Sequence, residues 1–213
     1  MPIYAAKTHW YATDRLKPAY TTYNVYYPNL WMPNCVAWTF ARWNELSNVT
    51  QQGPWPTGPA TDWYTQGVNL GLTHDTQFIP QVGACICYQS TEPDPDHEHG
   101  HVAIIEQIHR SSPGGSPDFV IVSNSFWDDD RTIQPQDAFP FFYTSKIYVN
   151  NPGTLYNNNG TYSVYNFEGI LYHPNYPPEV QPTPIIDQIT TVLLAFTALV
   201  AGKKRTKKLH IRR

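Results

Sequence analysis

The sequence has few cysteines and few charged residues, and its first residues do not have the pattern expected of a secretion signal. Three cysteines among 213 residues exclude a small domain stapled by several disulfides. Charged residues make up only 15 % of the chain, but hydrophobic residues make up 41 %, which is enough for a core and excludes wholesale disorder. The N-terminus has no basic segment followed by an apolar one, so we do not expect a secretory signal peptide.

Aromatic residues, prolines and glycines are abundant instead. The chain holds 7 Trp, 15 Tyr, 20 Pro and 12 Gly. This mixture is typical of short strands, many turns and aromatic surfaces, and it argues against a helical bundle.

The charges are divided unevenly along the chain. Residues 1–184 hold 7 Lys and Arg against 16 Asp and Glu, whereas residues 185–213 hold 7 Lys and Arg against the single Asp187. The acidic main part is therefore a poor general binder of nucleic acid, and only the tail suits a polyanion or an anionic membrane surface.

The sequence predicts one helix followed by an antiparallel sheet, an α+β fold. Apolar residues at positions 36, 40 and 43 follow helical spacing, with Asn34 as N-cap, so we expect a helix over residues 35–46. A short helical turn is expected over 61–67. After Pro80 come short apolar runs separated by turn clusters, which predict strands. These runs cover residues 82–88, 102–108, 119–123 and 141–149, and residues 162–172 read as a last strand or a loop.

Three regions follow from the composition. Residues 1–175 form the predicted main domain, and residues 176–184 form a Pro-rich linker. Residues 185–213 form a hydrophobic segment with a basic C-terminal tail. Its uncharged stretch is short for a transmembrane helix, so a membrane-inserting or interfacial helix and packing against a partner or a second copy both stay open.

Cys35 is the first candidate for chemistry. A thiol at a helix N-terminus lies beside unpaired backbone N–H groups, which favour the thiolate and can bind an oxyanion. The alternative is a buried structural cysteine.

Two polar residues on successive predicted strands extend this candidate site. His101 begins an apolar strand after Gly100, where it can act as the general base for a thiol on a facing helix. Asn124 ends the next strand, where its amide can accept a hydrogen bond from the imidazole. A structural histidine and a strand-closing turn residue are the alternatives.

These residues and their neighbours resemble the CHAP domain, the cysteine, histidine-dependent amidohydrolase/peptidase of phage lysins and bacterial cell-wall hydrolases. The segments that carry the resemblance are NCVAWTFARWNEL, ATDWY, PQVGACICY, GHVAIIEQI, VSNSFW and YNFEGILYHP. They lie within about residues 20–175, so the resemblance implies that residues 1–175 are a CHAP-like catalytic domain. The resemblance implies a papain-like (NlpC/P60-type) cysteine hydrolase whose nucleophile helix packs on an antiparallel sheet. It also implies Cys35 as nucleophile, His101 as general base, Asn124 as orienting residue and Asn34 as a support for the oxyanion.

The resemblance further implies cleavage of an amide bond in peptidoglycan, by an N-acetylmuramoyl-L-alanine amidase or a stem or cross-bridge endopeptidase. We expect a bacteriophage lysin, present in the host cytoplasm before lysis, or a virion tail enzyme, with membrane or other virion proteins as partners of residues 185–213. A non-catalytic wall-binding protein and a membrane-lesion protein that acts through its C-terminal segment are the alternatives.

Several other residues have two interpretations. Aromatic side chains suit either the walls of a substrate groove or the core, and the candidates are Trp38, Trp63, Tyr64 and Trp127. We interpret Cys85 and Cys87 as core residues, with a metal site as the alternative. We interpret Asp94–His99 as a solvated loop, again with a metal site as the alternative. We therefore expect no cofactor and no metal.

Overall fold

The computed structural model describes most of the predicted catalytic domain. The described residues are 5–9, 13, 16–26, 34–48, 51, 53–91, 100–125, 142–158 and 160–176. They lie in the first of two compact units, Met1–Pro178, and the second unit, Glu179–Arg213, lies outside them. The predictions for Trp127, Asp94–His99, most of the linker and the hydrophobic tail fall outside the described residues too. No helix within the described ranges is long and apolar enough to cross a bilayer.

The described part contains two α-helices and eight β-strands. The helices are α1 (Cys35–Ser47) and α2 (Trp63–Asn69), with short 3-10 helices at Pro18–Tyr20 and Ala60–Asp62. The strands are β1 (His74–Asp75), β2 (Cys85–Gln89), β3 (His101–His109), β4 (Phe119–Ser125), β5 (Phe142–Tyr148), β6 (Thr154–Asn157), β7 (Tyr162–Val164) and β8 (Asn166–Leu171).

All eight strands form one antiparallel sheet in the order β1-β8-β2-β3-β4-β5-β6-β7. The consecutive strands β2 to β7 each pair with the next one. Strand β8 lies between β1 and β2 and pairs with both. The strands that carry His101 and Asn124 are therefore direct neighbours near the middle of the sheet.

Asparagines cap helix α1 at both ends, with Asn34 before its first residue and Asn48 after its last. The Oδ1 atom of Asn34 accepts a hydrogen bond from the backbone N–H of Ala37 at 2.7 Å, which satisfies one of the helix's unpaired donors. Asn48 ends the helix in the left-handed conformation, with φ 49, which asparagine tolerates better than most residues. Every residue from Val36 to Asn44 is buried, so α1 is a central helix that is covered on all sides.

The two faces of the sheet bury separate apolar clusters, because side chains alternate along each strand. One cluster packs on α1 and includes Cys85, Cys87, Val102 and Ile104. The opposite face holds the second cluster, with Ile86, Ala103, Ile105, Val120, Val122 and Ile147 among its members.

The predicted α+β papain-like class is confirmed, and the differences are local. The expected strand over 82–88 begins only at Cys85, because Gly83 with φ 81 makes a turn. The last predicted element is two strands, β7 and β8. Strands β1 and β6 were not predicted, since neither forms an apolar run in the sequence.

Candidate active site

Cys35 is the first residue of α1, next to the cap that orients the helix. Its neighbour Asn34 is 1 % exposed, and the amide nitrogen Nδ2 has no hydrogen-bond partner among the described residues. An unsatisfied buried donor costs about 1–3 kcal/mol. This donor beside a thiol suits a ligand that brings its own negatively charged oxygen.

The expectation that the helix N-terminus makes the Cys35 thiolate easy to form is not met in the free protein. Burial raises the pKa of the Cys35 thiol to about 11, although the backbone N–H groups of Val102, Val36 and Cys35 itself favour the thiolate. The desolvation of the charged form outweighs these dipoles. Cys35 is therefore a neutral thiol near pH 7, and it needs a base at the moment of attack.

His101 lies at the start of β3, and the position of its strand depends on a glycine. A side chain at residue 100 would collide with the backbone oxygen of Tyr88, so only Gly100 allows β3 to begin so close to β2. The backbone N–H of Val102, the next residue, faces the Cys35 thiol. The start of β3 therefore lies against the N-terminus of α1, as the papain-like arrangement requires.

The structure brings His101 and Asn124 into direct contact. The Nε2 and Oδ1 atoms of the two side chains are 2.8 Å apart, and both side chains are buried. Because an amide oxygen only accepts, His101 carries its proton on Nε2, and Nδ1 is the ring nitrogen left to take a proton. Burial lowers the pKa of His101 to about 4, and the hydrogen bond with Asn124 only partly offsets this.

Two tyrosines that were not among the predicted site residues pack on the imidazole ring. Tyr165 stacks on His101 with ring centroids 5.2 Å apart and an angle of 13° between the planes. Tyr88 stacks less closely, at 6.4 Å and 27°. Burial, together with the nearby Cys35, raises the pKa of Tyr165 to about 12, so the tyrosine stays neutral. Only the strand pairing brings these rings to His101, and no local sequence pattern indicates it.

Two of the proposed groove residues belong to the core, which corrects that prediction. Trp38 and Trp63 are completely buried and offer no surface to a substrate. Their indole N–H groups donate inside the protein, Trp38 to Ser123 Oγ at 3.1 Å and Trp63 to the backbone oxygen of Gly58 at 3.0 Å. Tyr64 is partly exposed and packs edge-on against His74.

The other two cysteines lie in the apolar cluster that packs on α1. Cys85 and Cys87 are completely buried on the α1 side of β2, with their sulfur atoms 3.8 Å apart and no disulfide between them. Within the described ranges, no group of three or more His, Cys, Asp or Glu side chains is arranged to hold a metal ion.

Comparison with known proteins supports the family assignment. Residues 22–123 match the model of the CHAP domain, which confirms the predicted resemblance. No curated protein matches the sequence significantly.

One solved structure to which this chain is similar is that of an N-acetylmuramoyl-L-alanine amidase from Staphylococcus aureus. The match has 12 % sequence identity and a TM-score of 0.38, and it covers 63 % of this chain and 30 % of the amidase chain. At that TM-score the two backbones differ too much for the amidase to assign roles to residues of this chain.

Proposed function

We propose that this protein is a cysteine-dependent peptidoglycan hydrolase. The observation that carries the proposal is the arrangement of Cys35 at the N-terminus of α1 against the start of β3, where His101 is oriented by Asn124 at 2.8 Å. The CHAP domain match over residues 22–123 supports the same chemistry. The resemblance implies an amide bond of the cell wall as the substrate.

The reaction begins with a neutral pair of side chains. His101 Nδ1 takes the proton from the Cys35 thiol while the sulfur attacks the amide carbonyl carbon. The carbonyl π electrons move to the oxygen, which becomes the oxyanion of a tetrahedral intermediate. Stacking on Tyr165 and the bond to Asn124 keep the ring in one plane and one tautomer for this transfer.

Two donors at the helix N-terminus suit that oxyanion. They are the backbone N–H of Cys35 and the unpartnered Nδ2 of Asn34. Because these donors are fixed by the helix cap before substrate arrives, they need little reorganisation as charge develops.

The intermediate then collapses and the enzyme is regenerated. The carbon–nitrogen bond breaks, and the imidazolium of His101 gives its proton to the leaving amine. A water molecule next attacks the thioester, with His101 again accepting a proton, and the Cys35 thiol returns as the carboxylic acid leaves.

The first experiment compares the full-length protein with its Cys35→Ser variant on purified Gram-positive peptidoglycan, with mass spectrometry of the new termini. Cys85→Ala is the matched control, since it removes a buried thiol outside the proposed chemistry. We expect new amine and carboxyl ends from the wild type and from Cys85→Ala, and a loss of at least about 100-fold in Cys35→Ser.

Equal cleavage by the wild type and Cys35→Ser would exclude Cys35 as the nucleophile. No cleavage by any of the three on several wall types would instead favour a wall-binding protein. The chemical position of the new ends separates an amidase from an endopeptidase.

We also propose that the protein acts on the bacterial wall as a bacteriophage lysin or as a virion tail enzyme. The support is the CHAP domain together with the hydrophobic, basic segment 185–213, whose composition suits membrane contact. Co-sedimentation of the full-length protein with anionic vesicles, compared with a chain ending at Pro184, tests the membrane part. Equal sedimentation of both would contradict a membrane role for the tail.

A further inference from the structure

A chain of buried polar side chains continues from Asn124 across the sheet. Asn124 Nδ2 donates to Ser145 Oγ at 3.2 Å, and Ser145 Oγ donates to Asn157 Oδ1 at 2.8 Å. Asn157 Nδ2 then donates to Thr161 Oγ1 at 3.0 Å. These residues lie on β4, β5 and β6 and in the turn before β7, and Ser145 is directly opposite Asn157 in the pairing of β5 with β6.

Every hydrogen bond in this chain points the same way, from His101 outwards. The imidazole donates to the first amide, that amide donates to the serine, the serine donates to the second amide, and the second amide donates to the threonine. Bonds aligned in this way polarise one another in a low-dielectric interior.

The direction matters because a serine hydroxyl has only one proton. Ser145 gives that proton to Asn157 Oδ1, so towards Asn124 it can only accept. Asn124 must then turn its NH₂ group to Ser145 and its oxygen to His101. With the amide reversed, the NH₂ group would face His101 Nε2, which would drive the imidazole proton to Nδ1, the nitrogen that is proposed to take the proton from Cys35.

Burial makes the reversed arrangement costly. Asn124 is completely buried, Ser145 is 1 % exposed and Asn157 is 8 % exposed. Water has little access to compensate a mispaired donor or acceptor in such a place, so each one carries its full desolvation cost.

We infer that Ser145 and Asn157 are positioning residues, which fix the amide orientation of Asn124 and through it the Nε2–H tautomer of His101. The inference concerns the same site as the proposed function and rests on it for its catalytic meaning. The tautomer itself is a property of the folded protein whether or not the protein hydrolyses peptidoglycan.

The test measures the tautomer directly, by long-range ¹H–¹⁵N correlation spectra of the full-length protein labelled at histidine. His101→Gln identifies the signals of this residue among the 8 histidines. We expect the Nε2–H form alone in the wild type. Ser145→Ala and Asn157→Leu each release the amide, so we expect a mixture with the Nδ1–H form in both variants.

Conservative and control variants separate positioning from general packing. Asn157→Asp keeps an oxygen that accepts from Ser145, so we expect the wild-type tautomer. Thr154→Val changes another buried polar side chain of β6, which accepts from Asn151 outside the chain, and it should also keep the wild-type tautomer. Asn157→Leu and Asn157→Asp change the same residue. If Ser145→Ala does not fold, the comparison of the His101 tautomer between these two variants tests the inference.

Kinetics on peptidoglycan provide the second readout. We expect kcat about tenfold lower in Ser145→Ala and Asn157→Leu with KM unchanged, and kcat within about twofold of wild type in Asn157→Asp and Thr154→Val. An unchanged tautomer in both Ser145→Ala and Asn157→Leu overturns the inference, and so does the same mixture in Thr154→Val. If the wild type proves inactive, the proposed function fails, and the spectra alone decide the role of Ser145 and Asn157.

Discussion

At the scale of single residues, burial sets the charge state of the candidate site, and the hydrogen bond between Asn124 and His101 only partly offsets it. Burial lowers the pKa of His101 to about 4 and raises that of Cys35 to about 11. Between these values both side chains are neutral, because burial disfavours both the imidazolium of His101 and the thiolate of Cys35. In the proposed mechanism the proton therefore moves from the sulfur of Cys35 to the nitrogen of His101 during the attack. The two side chains do not start as a thiolate–imidazolium ion pair.

The substitution Asn124→Asp tests this account. A carboxylate at this position would favour the imidazolium and raise the pKa of His101 by roughly 1–3 units. Because catalysis needs the neutral imidazole, the acid limb of kcat/KM should move from near pH 4 to higher pH. The measurement is the pH profile of kcat/KM over the range in which circular dichroism shows the variant folded.

Asn124→Ala is the control for that profile. It removes the orienting oxygen without adding charge, so the rate should fall while the acid limb does not move to higher pH. An acid limb of Asn124→Asp that coincides with that of the wild type would contradict the proposed electrostatics.

At the scale of secondary structure elements, a buried ion pair joins helix α1, which begins at Cys35, to strand β3, which begins at His101. Arg42 of α1 contacts Glu106 of β3 through two hydrogen bonds, Nε to Oε1 and Nη2 to Oε2, each 3.0 Å long. Ser123 of β4 donates to the same Oε1 at 2.7 Å, and Trp38 of α1 donates to Ser123 at 3.1 Å. Helix α1 is thus joined to both β3 and β4.

Loss of one partner from this pair should destabilise the protein strongly. Arg42→Met takes the guanidinium away from the buried Glu106 carboxylate, which keeps its hydrogen bonds from Ser123 and from the backbone N–H of Lys7. We expect a loss of about 3–5 kcal/mol in the free energy of unfolding. Adding Glu106→Gln should recover a large part of that loss, because it removes the buried negative charge. Urea denaturation of the single and double variants measures both effects.

Lys17→Met provides the comparison with a surface pair. The Lys17 side chain is 47 % exposed and contacts Glu45 at 2.8 Å, so its loss should cost no more than about 1 kcal/mol. If Arg42→Met were as mild as Lys17→Met, α1 would not depend on the buried pair for its position.

The sequence predicted what depends on local pattern and missed what depends on strand pairing. Helix α1, its Asn34 cap and the strands at the middle of the sheet follow from spacing and capping residues. The contacts of Tyr165, Ser145 and Glu106 join residues far apart in the chain, and single polar or aromatic residues in strands do not indicate such partners. The order of the strands had to be known before these side chains could be placed at the candidate site.

At the scale of the whole molecule, two buried histidines link folding to pH. Burial lowers the pKa of His101 and of His173 from 6.5 to about 4. His173 follows β8 and lies against the end of α1, where Ser47 Oγ is 2.9 Å from its Nε2 and the backbone N–H of Asn175 donates to its Nδ1 at 3.1 Å. A proton on Nδ1 would break that last contact, so the fold excludes the charged form.

A partly buried acid, Glu45, also makes the fold less stable as the pH falls, but at lower pH than the histidines. Burial alone would raise the pKa of Glu45, but Arg42 and Lys7, together with hydrogen bonds from Lys17 and Tyr20, lower it from 4.5 to about 2. The ionised carboxylate therefore stabilises the fold above pH 4.5, and this contribution is lost as the pH falls towards 2.

These shifts predict that the free energy of unfolding declines as the pH falls below 6.5, first through the histidines and then through Glu45. Between pH 6.5 and 4 the unfolded chain binds protons that the folded chain does not, so each histidine contributes a slope of at most about 1.4 kcal/mol per pH unit. Urea denaturation at pH 7.5, 6.5, 5.5 and 4.5 measures the slope. His173→Gln should reduce it by about half, whereas His109→Gln, at an exposed position, should leave it unchanged. A free energy of unfolding that stayed constant down to pH 4.5 would mean that both histidines accept protons in the folded state, and His101 would then already be charged over much of the range in which it is proposed to act as a base.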